Sequence, residues 1–130
     1  MEDSFFQNDE ILIPTVDENS INNENATKIS ELSKKGYQLL KEDDTEGARA
    51  AFNEILELDD NNNYALVGIG DIERKLCHID LAIENYKKCL EYFPANNYAL
   101  FGLADCYKAM KKYNMAIDIW QQYLVHDDKN

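Results

Sequence analysis

Asn62-Asn63-Tyr64-Ala65-Leu66 returns, residue for residue, as Asn96-Asn97-Tyr98-Ala99-Leu100, an offset of 34 positions. The same offset aligns the chain in triples without a gap: Leu32, Leu66 and Leu100; Gly36, Gly70 and Ala104; Ala48, Ala82 and Ala116; Phe52, Tyr86 and Trp120; Leu56, Leu90 and Leu124. A fixed period of this length marks a stack of supersecondary units, none of which buries its apolar face alone. Three blocks follow, 29–62, 63–96 and 97–130.

Each block reads as two helices. Leu66, Ile69, Gly70 and Glu73 fall at i, i+3, i+4 and i+7, as do Leu100, Leu103, Ala104 and Tyr107. That spacing lines one face of a helix. Ala116, Ile117, Trp120, Tyr123 and Leu124 form a second stripe in the last block. Glu42-Asp43-Asp44, Cys77-His78 and Lys111-Lys112 are polar joints within blocks. Asp59-Asp60-Asn61-Asn62 and Pro94-Ala95-Asn96 supply stops and side-chain caps between them. Helices are predicted near 28–41, 45–58, 63–76, 79–92, 97–110 and 113–125. Small residues at Gly36, Gly70, Ala104, Ala48, Ala82 and Ala116 let the paired helices approach, and the aromatics at Phe52, Tyr86 and Trp120 fill the space between hairpins.

The pattern resembles the tetratricopeptide repeat family over 29–130. The second block matches the family's small–large signature well, at Leu66, Ile69, Gly70, Ala82, Tyr86 and Pro94. Lys35 stands where an apolar residue is usual, Glu73 where an aromatic is usual, and Asp60 and Asp128 replace the proline. The resemblance implies an all-α, right-handed superhelical solenoid of three hairpins spanning 28–130. Residues 1–27, rich in Asn, Asp and Glu with no helical period, read as a disordered acidic arm. Two apolar islands interrupt the arm, Phe5-Phe6 and Ile11-Leu12-Ile13; they are either incidental or a short docking segment.

In the resembled family the first helices of the hairpins line a concave groove that holds peptides. Counting 100° per residue, the arc opposite the core face carries Tyr37 in the first block, Tyr64, Val67, Asp71 and Arg74 in the second, and Tyr98, Phe101, Asp105 and Lys108 in the third. An arc that met only water would be polar, whereas this one is an aromatic strip, and aromatic residues are favoured interface anchors. Gly68 and Gly102 at equivalent places would leave a shallow floor beside it. Asp71–Arg74 and Asp105–Lys108 are either i,i+3 stabilisers or a grip on a ligand backbone. Relatives that hold the acidic tails of heat-shock chaperones use a clamp of Lys, Asn, Asn, Lys and Arg. The matching positions here are Ser33, Tyr37, Gly68, Tyr98 and Gly102, so that kind of tail is not the expected ligand.

Charge and chemistry narrow the function. The net charge of −12 is concentrated early: nine acids against four bases in 29–62, but five against four in 63–96 and four against four in 97–130. Such a chain should repel nucleic acid and anionic lipid. No apolar run approaches the ~20 residues of a spanning helix. Cys77, Cys89 and Cys106 are odd in number and lack Cys-x-x-Cys spacing, which suits a reducing cytoplasm and neither disulfides nor zinc. His78 and His126 read as separate, solvated turn residues with no nucleophile to activate. Asp59-Asp60-Asn61-Asn62-Asn63 lacks the glycine and distal acid of a calcium loop, and Gly68-Ile69-Gly70 follows no strand. The expectation is a non-enzymatic adaptor without metal or cofactor, whose partner is another protein or peptide. A small cytosolic chaperone and a piece of a longer scaffold are the alternatives. Apolar groups around Ile119, Trp120 and Tyr123 would lack a neighbour; self-association, a continuation of the chain, or docking of the arm would cover them.

Overall fold

A computed structural model describes residues 20–127, with side chains over 23–125. The islands at Phe5-Phe6 and Ile11-Leu12-Ile13 lie outside the described residues. Every described element is an α-helix: α1 Ser20–Lys41, α2 Thr45–Leu58, α3 Asn63–Lys75, α4 Ile79–Tyr92, α5 Asn97–Ala109 and α6 Tyr113–Asp127. Five of the six start where the periodicity predicts. The exception is α1, which begins at Ser20, ahead of the expected residue 28. Once a helix is nucleated by packing, each added residue gains a hydrogen bond at little cost, so the extension needs no apolar stripe.

The repeated pentapeptide acts through its first residue. Asn62 lies outside α3 in extended conformation, and its Oδ1 accepts from the Ala65 N–H at 3.0 Å. Asn96 does the same for α5, accepting from Ala99 at 2.9 Å. Each satisfies a backbone donor that the first helical turn leaves open. Asp44 caps α2 through the Gly47 N–H, also at 2.9 Å.

The three turns inside the hairpins share one geometry. Asp43, Cys77 and Lys111 all take positive φ, at 67°, 67° and 63°. The next residue's N–H then reaches back to a carbonyl five residues earlier: Asp44 to Leu39, His78 to Glu73 and Lys112 to Tyr107, at 2.9, 2.8 and 2.8 Å. This is the left-handed helix stop that glycine normally occupies. All three turns fall on the 34-residue spacing.

The chain divides into two compact units, with the boundary between Asp60 and Asn61. In the first, α1 packs on α2. Its core is Leu32, Ala48, Ala51, Phe52 and Ile55, and Tyr37 sets its edge on the Phe52 ring with centroids 4.9 Å apart. Gly36 is required there, because a Cβ would sit 2.7 Å from Phe52 Cζ. Lys28 and Glu54 approach to 3.6 Å across the pair.

In the second unit α3 pairs with α4 and α5 with α6, while α5 also packs on α4 and α3. Leu66, Ile72, Ala82, Tyr86, Cys89, Leu100, Leu103, Ala104 and Cys106 form its core. Glu73, buried where Tyr107 sits in the next hairpin, is matched by His78, whose Nδ1 lies 2.8 Å from Oε1. His78 keeps the exposure expected of a solvated turn residue, with a side chain 55% exposed, and gains Glu73 as a partner. It occupies the cap position of α4 without a capping bond, its ring being directed to the preceding helix.

Candidate functional site

The predicted arc residues of the second unit do not behave alike. Tyr64 and Tyr98, at the starts of α3 and α5, are half-buried. Val67 is only 4% exposed, which removes it from any open surface. Phe101 is 41% exposed, but it is not isolated: its ring lies 4.5 Å from that of Tyr123 on α6, tilted by 43°. Lys108 is exposed. Tyr37 belongs to the first unit, half-buried against Phe52. Gly102 is not a vacant floor either. Tyr86 reaches from α4 between α3 and α5, and a Cβ at Gly70 would come within 2.7 Å of its ring, while one at Gly102 would overlap it. Glycine at both places makes room for the ring, which explains residues that otherwise weaken a helix by about 1 kcal/mol each.

Threading between those glycines carries the Tyr86 hydroxyl to Asp71, Arg74 and Asp105. The hydroxyl donates to Asp71 Oδ1, and Arg74 Nε donates to the hydroxyl oxygen at 3.1 Å. Arg74 Nη2 reaches Asp71 Oδ1 at 3.3 Å, and Nη1 reaches Asp105 Oδ2 at 3.1 Å. The guanidinium also lies 6.0 Å from the centroid of the Tyr86 ring. One arginine thus joins α3, α4 and α5. Sequence spacing had paired Asp105 with Lys108; the structure gives Asp105 to Arg74 instead. A planar fork with several donors suits this three-way bond in a way that a lysine ammonium does not.

Burial raises the Asp71 carboxyl above its ordinary value, against the lowering effect of Tyr86 and Arg74. Burial, reinforced by the charge of Asp71, pushes the Tyr86 hydroxyl far up. Burial on its own would lower Arg74, but Tyr86 and Asp71 outweigh it and hold the guanidinium charged. Tyr86 keeps its proton and Arg74 its charge at any physiological pH, so these two groups position helices and do not exchange protons. Sequence reasoning missed the role of the Tyr86 hydroxyl. The signal was the tyrosine itself, in a register that elsewhere holds Phe52 and Trp120, since a buried phenol needs a partner.

Among the described residues, no group of three or more His, Cys, Asp or Glu side chains is placed to hold a metal ion. Nor is any described helix long and apolar enough to cross a membrane. Cys89 and Cys106 are buried and Cys77 is exposed.

Two family models match the chain, both described as tetratricopeptide repeat, one over residues 64–96 and the other over 98–127. These ranges coincide with the hairpins α3–α4 and α5–α6. No curated protein matches the sequence significantly. Repeats of this family serve protein–protein interaction, through surfaces built by stacking. By its sequence models and by the hairpins they coincide with, this chain is a tetratricopeptide repeat protein over residues 64–127.

Proposed function

We propose that the protein is an adaptor that holds a peptide segment of another protein along α3 and α5, and that it catalyses no reaction. The observation that carries this reading is Phe101. It is a large aromatic side chain 41% exposed in the middle of a helix whose neighbouring residues Leu100, Gly102, Leu103 and Ala104 are buried. Tyr98 stands one turn before it and Asp105 one turn after. Fixed aromatic side chains beside polar tips are what a docking peptide uses as anchors.

The reading extends to the domain plan: a three-repeat domain over 28–130 after the acidic arm 1–27, with the first helix already under way inside that arm from Ser20. The turn at Asp43, superposable in kind on those at Cys77 and Lys111, supports counting the first hairpin as a third repeat. A cytoplasmic setting fits three free cysteines. The groove reading is tested by affinity capture from native cytosol with the parent chain and with Tyr98→Ala/Phe101→Ala. Tyr113→Ala, which removes an exposed aromatic on another helix, is the control. Loss of the captured protein with the double variant alone is the expected result. Equal capture by all three would place the partner elsewhere.

A further inference from the structure

Phe101 and Asp105 share one face of α5, and Tyr123 of α6 packs on the Phe101 ring. Phe101 and Asp105 are four residues apart on α5, which sets their Cβ atoms roughly 5–6 Å apart on one face. Tyr123 backs the Phe101 ring from α6 and fixes its orientation. The Asp105 side chain is 43% exposed, and only its Oδ2 is engaged, by Arg74. Among the described residues nothing donates to Oδ1, and Lys108 forms no ion pair with it.

The charges around that oxygen favour a cation. Arg74 is shared between Asp71 and Asp105, so its one positive charge is not spent on Asp105 alone. Its three nitrogens each donate within the cluster: Nε to Tyr86, Nη1 to Asp105 and Nη2 to Asp71. An acidic ligand side chain would meet two carboxylates beside a guanidinium that already pairs with both. A purely apolar one would cover Oδ1 and strip it of water with nothing in exchange. A basic side chain satisfies both halves, its stem lying on the aromatic pair and its head on Oδ1. The chain's −12 charge adds long-range attraction for the same kind of segment.

We infer that the segment held along α5 presents an arginine or lysine side chain, packed on Phe101 and Tyr123 and paired with Asp105. This rests on the groove reading above and specifies the ligand it takes. Arginine fits better, because its planar head both stacks on a ring and pairs with a carboxylate.

The test pans a random 12-residue peptide display library on the full chain, then measures the best peptide against variants. The expected peptides carry Arg or Lys at a fixed distance from an apolar residue. Asp105→Asn keeps an acceptor for Arg74 and Phe101→Leu keeps most of the volume; each should weaken the best peptide by about 3- to 10-fold. Replacing the peptide's basic residue with norleucine should abolish the effect of Asp105→Asn, and a thermal melt of each variant shows that the fold is kept. Enriched peptides that need Tyr98 and Phe101 but carry no basic residue would overturn this inference and leave the groove reading standing. Equal sensitivity to Asp105→Asn with and without the basic residue would overturn it as well. Enrichment of no peptide above background would sink both.

Discussion

α4 and α6 carry the same pattern in the same register and meet different surroundings. In α4, Ile79, Ile83, Tyr86 and Leu90 run along one stripe, and all four are half-buried or buried because the helix lies between α3 and α5. The matching stripe on α6 is Tyr113, Ile117, Trp120 and Leu124. Among the described elements α6 packs on α5 alone, and Tyr113, Ile117 and Leu124 are 54%, 46% and 54% exposed. An apolar stripe in a repeat is therefore a potential for burial, and a neighbouring helix converts it into stability. Tyr86 shows what conversion adds, since its ring is seated against Gly70 and Gly102 and its hydroxyl is bonded at the tip. Trp120, its counterpart, is half-buried.

The largest contrast is expected in chemical protection. Burial pushes the Cys89 thiol on α4 from 9.0 up to about 12, and the Cys106 thiol on α5 from 9.0 up to about 11. Both are shielded where α4 and α5 pack, whereas Cys77 is exposed in its turn. At pH 8 a thiol reagent should label one cysteine rapidly and the other two only after unfolding, orders of magnitude more slowly. Rapid labelling of a second cysteine would mean that the α4–α5 packing opens readily. The same shifts give stability a pH dependence. Below pH 9 both thiols are protonated in folded and unfolded chain alike, and the contribution is fully present. As pH rises through about 11 to 12 the unfolded chain has already ionised, and the contribution is lost. Tyr86, also raised, acts in the same direction. Urea midpoints measured from pH 7 to 11 should fall at the alkaline end.

Truncating the two aromatic counterparts is the direct stability comparison. Tyr86→Ala removes a fully buried ring and leaves Asp71 and Arg74 without their shared partner, a loss of about 3–5 kcal/mol. Trp120→Ala removes a larger side chain from a half-covered place and should cost about 1–2 kcal/mol. Equal costs would mean that α6 is covered in solution by something that buries Trp120. Ala82→Leu, at a fully buried position on α4, should destabilise by about 1–3 kcal/mol through overpacking.

Periodicity exposed the helices and their faces because apolar spacing is a local property, readable within one turn or two. The caps at Asn62 and Asn96 were legible for the same reason, each acting on an N–H three residues on. The polar cluster was not, because Tyr86 meets Asp71 across 15 residues and Arg74 meets Asp105 across 31. Pairs at such separations depend on which helix lies beside which, and spacing along one helix offers a nearer, wrong partner such as Lys108. The start of α1 escaped notice because residues 20–27 extend a helix without an apolar stripe to announce it. Phe101 was half legible. Its exposure followed from its place on the arc, but its contact with Tyr123 depends on how α6 returns along α5. For that reason Phe101→Ala should lower stability by about 0.5–1.5 kcal/mol. A melt indistinguishable from the parent would show that the ring pair adds nothing to the fold.

The smallest effect belongs to the turns, where α4 and α6 begin alike. Cys77 and Lys111 precede them with φ of 67° and 63°, a conformation that costs a residue with a Cβ roughly 1–2 kcal/mol. Glycine there escapes the clash but gives up some unfolded-state order, so the net gain is smaller. Lys111→Gly should stabilise by about 0.5–1 kcal/mol, read as a higher urea midpoint with an unchanged slope. Lys111→Ala is the decisive control, because it removes the long charged chain and keeps the Cβ. If alanine stabilises as much as glycine, the gain comes from losing a lysine beside Lys112 and not from relief of backbone strain. If glycine alone stabilises, the turn is strained, and Cys77→Gly at the equivalent turn before α4 should gain a similar amount. A gain at Cys77 without one at Lys111 would separate the two hairpins once more: closing a turn would then matter only where the helix that follows is covered on both sides.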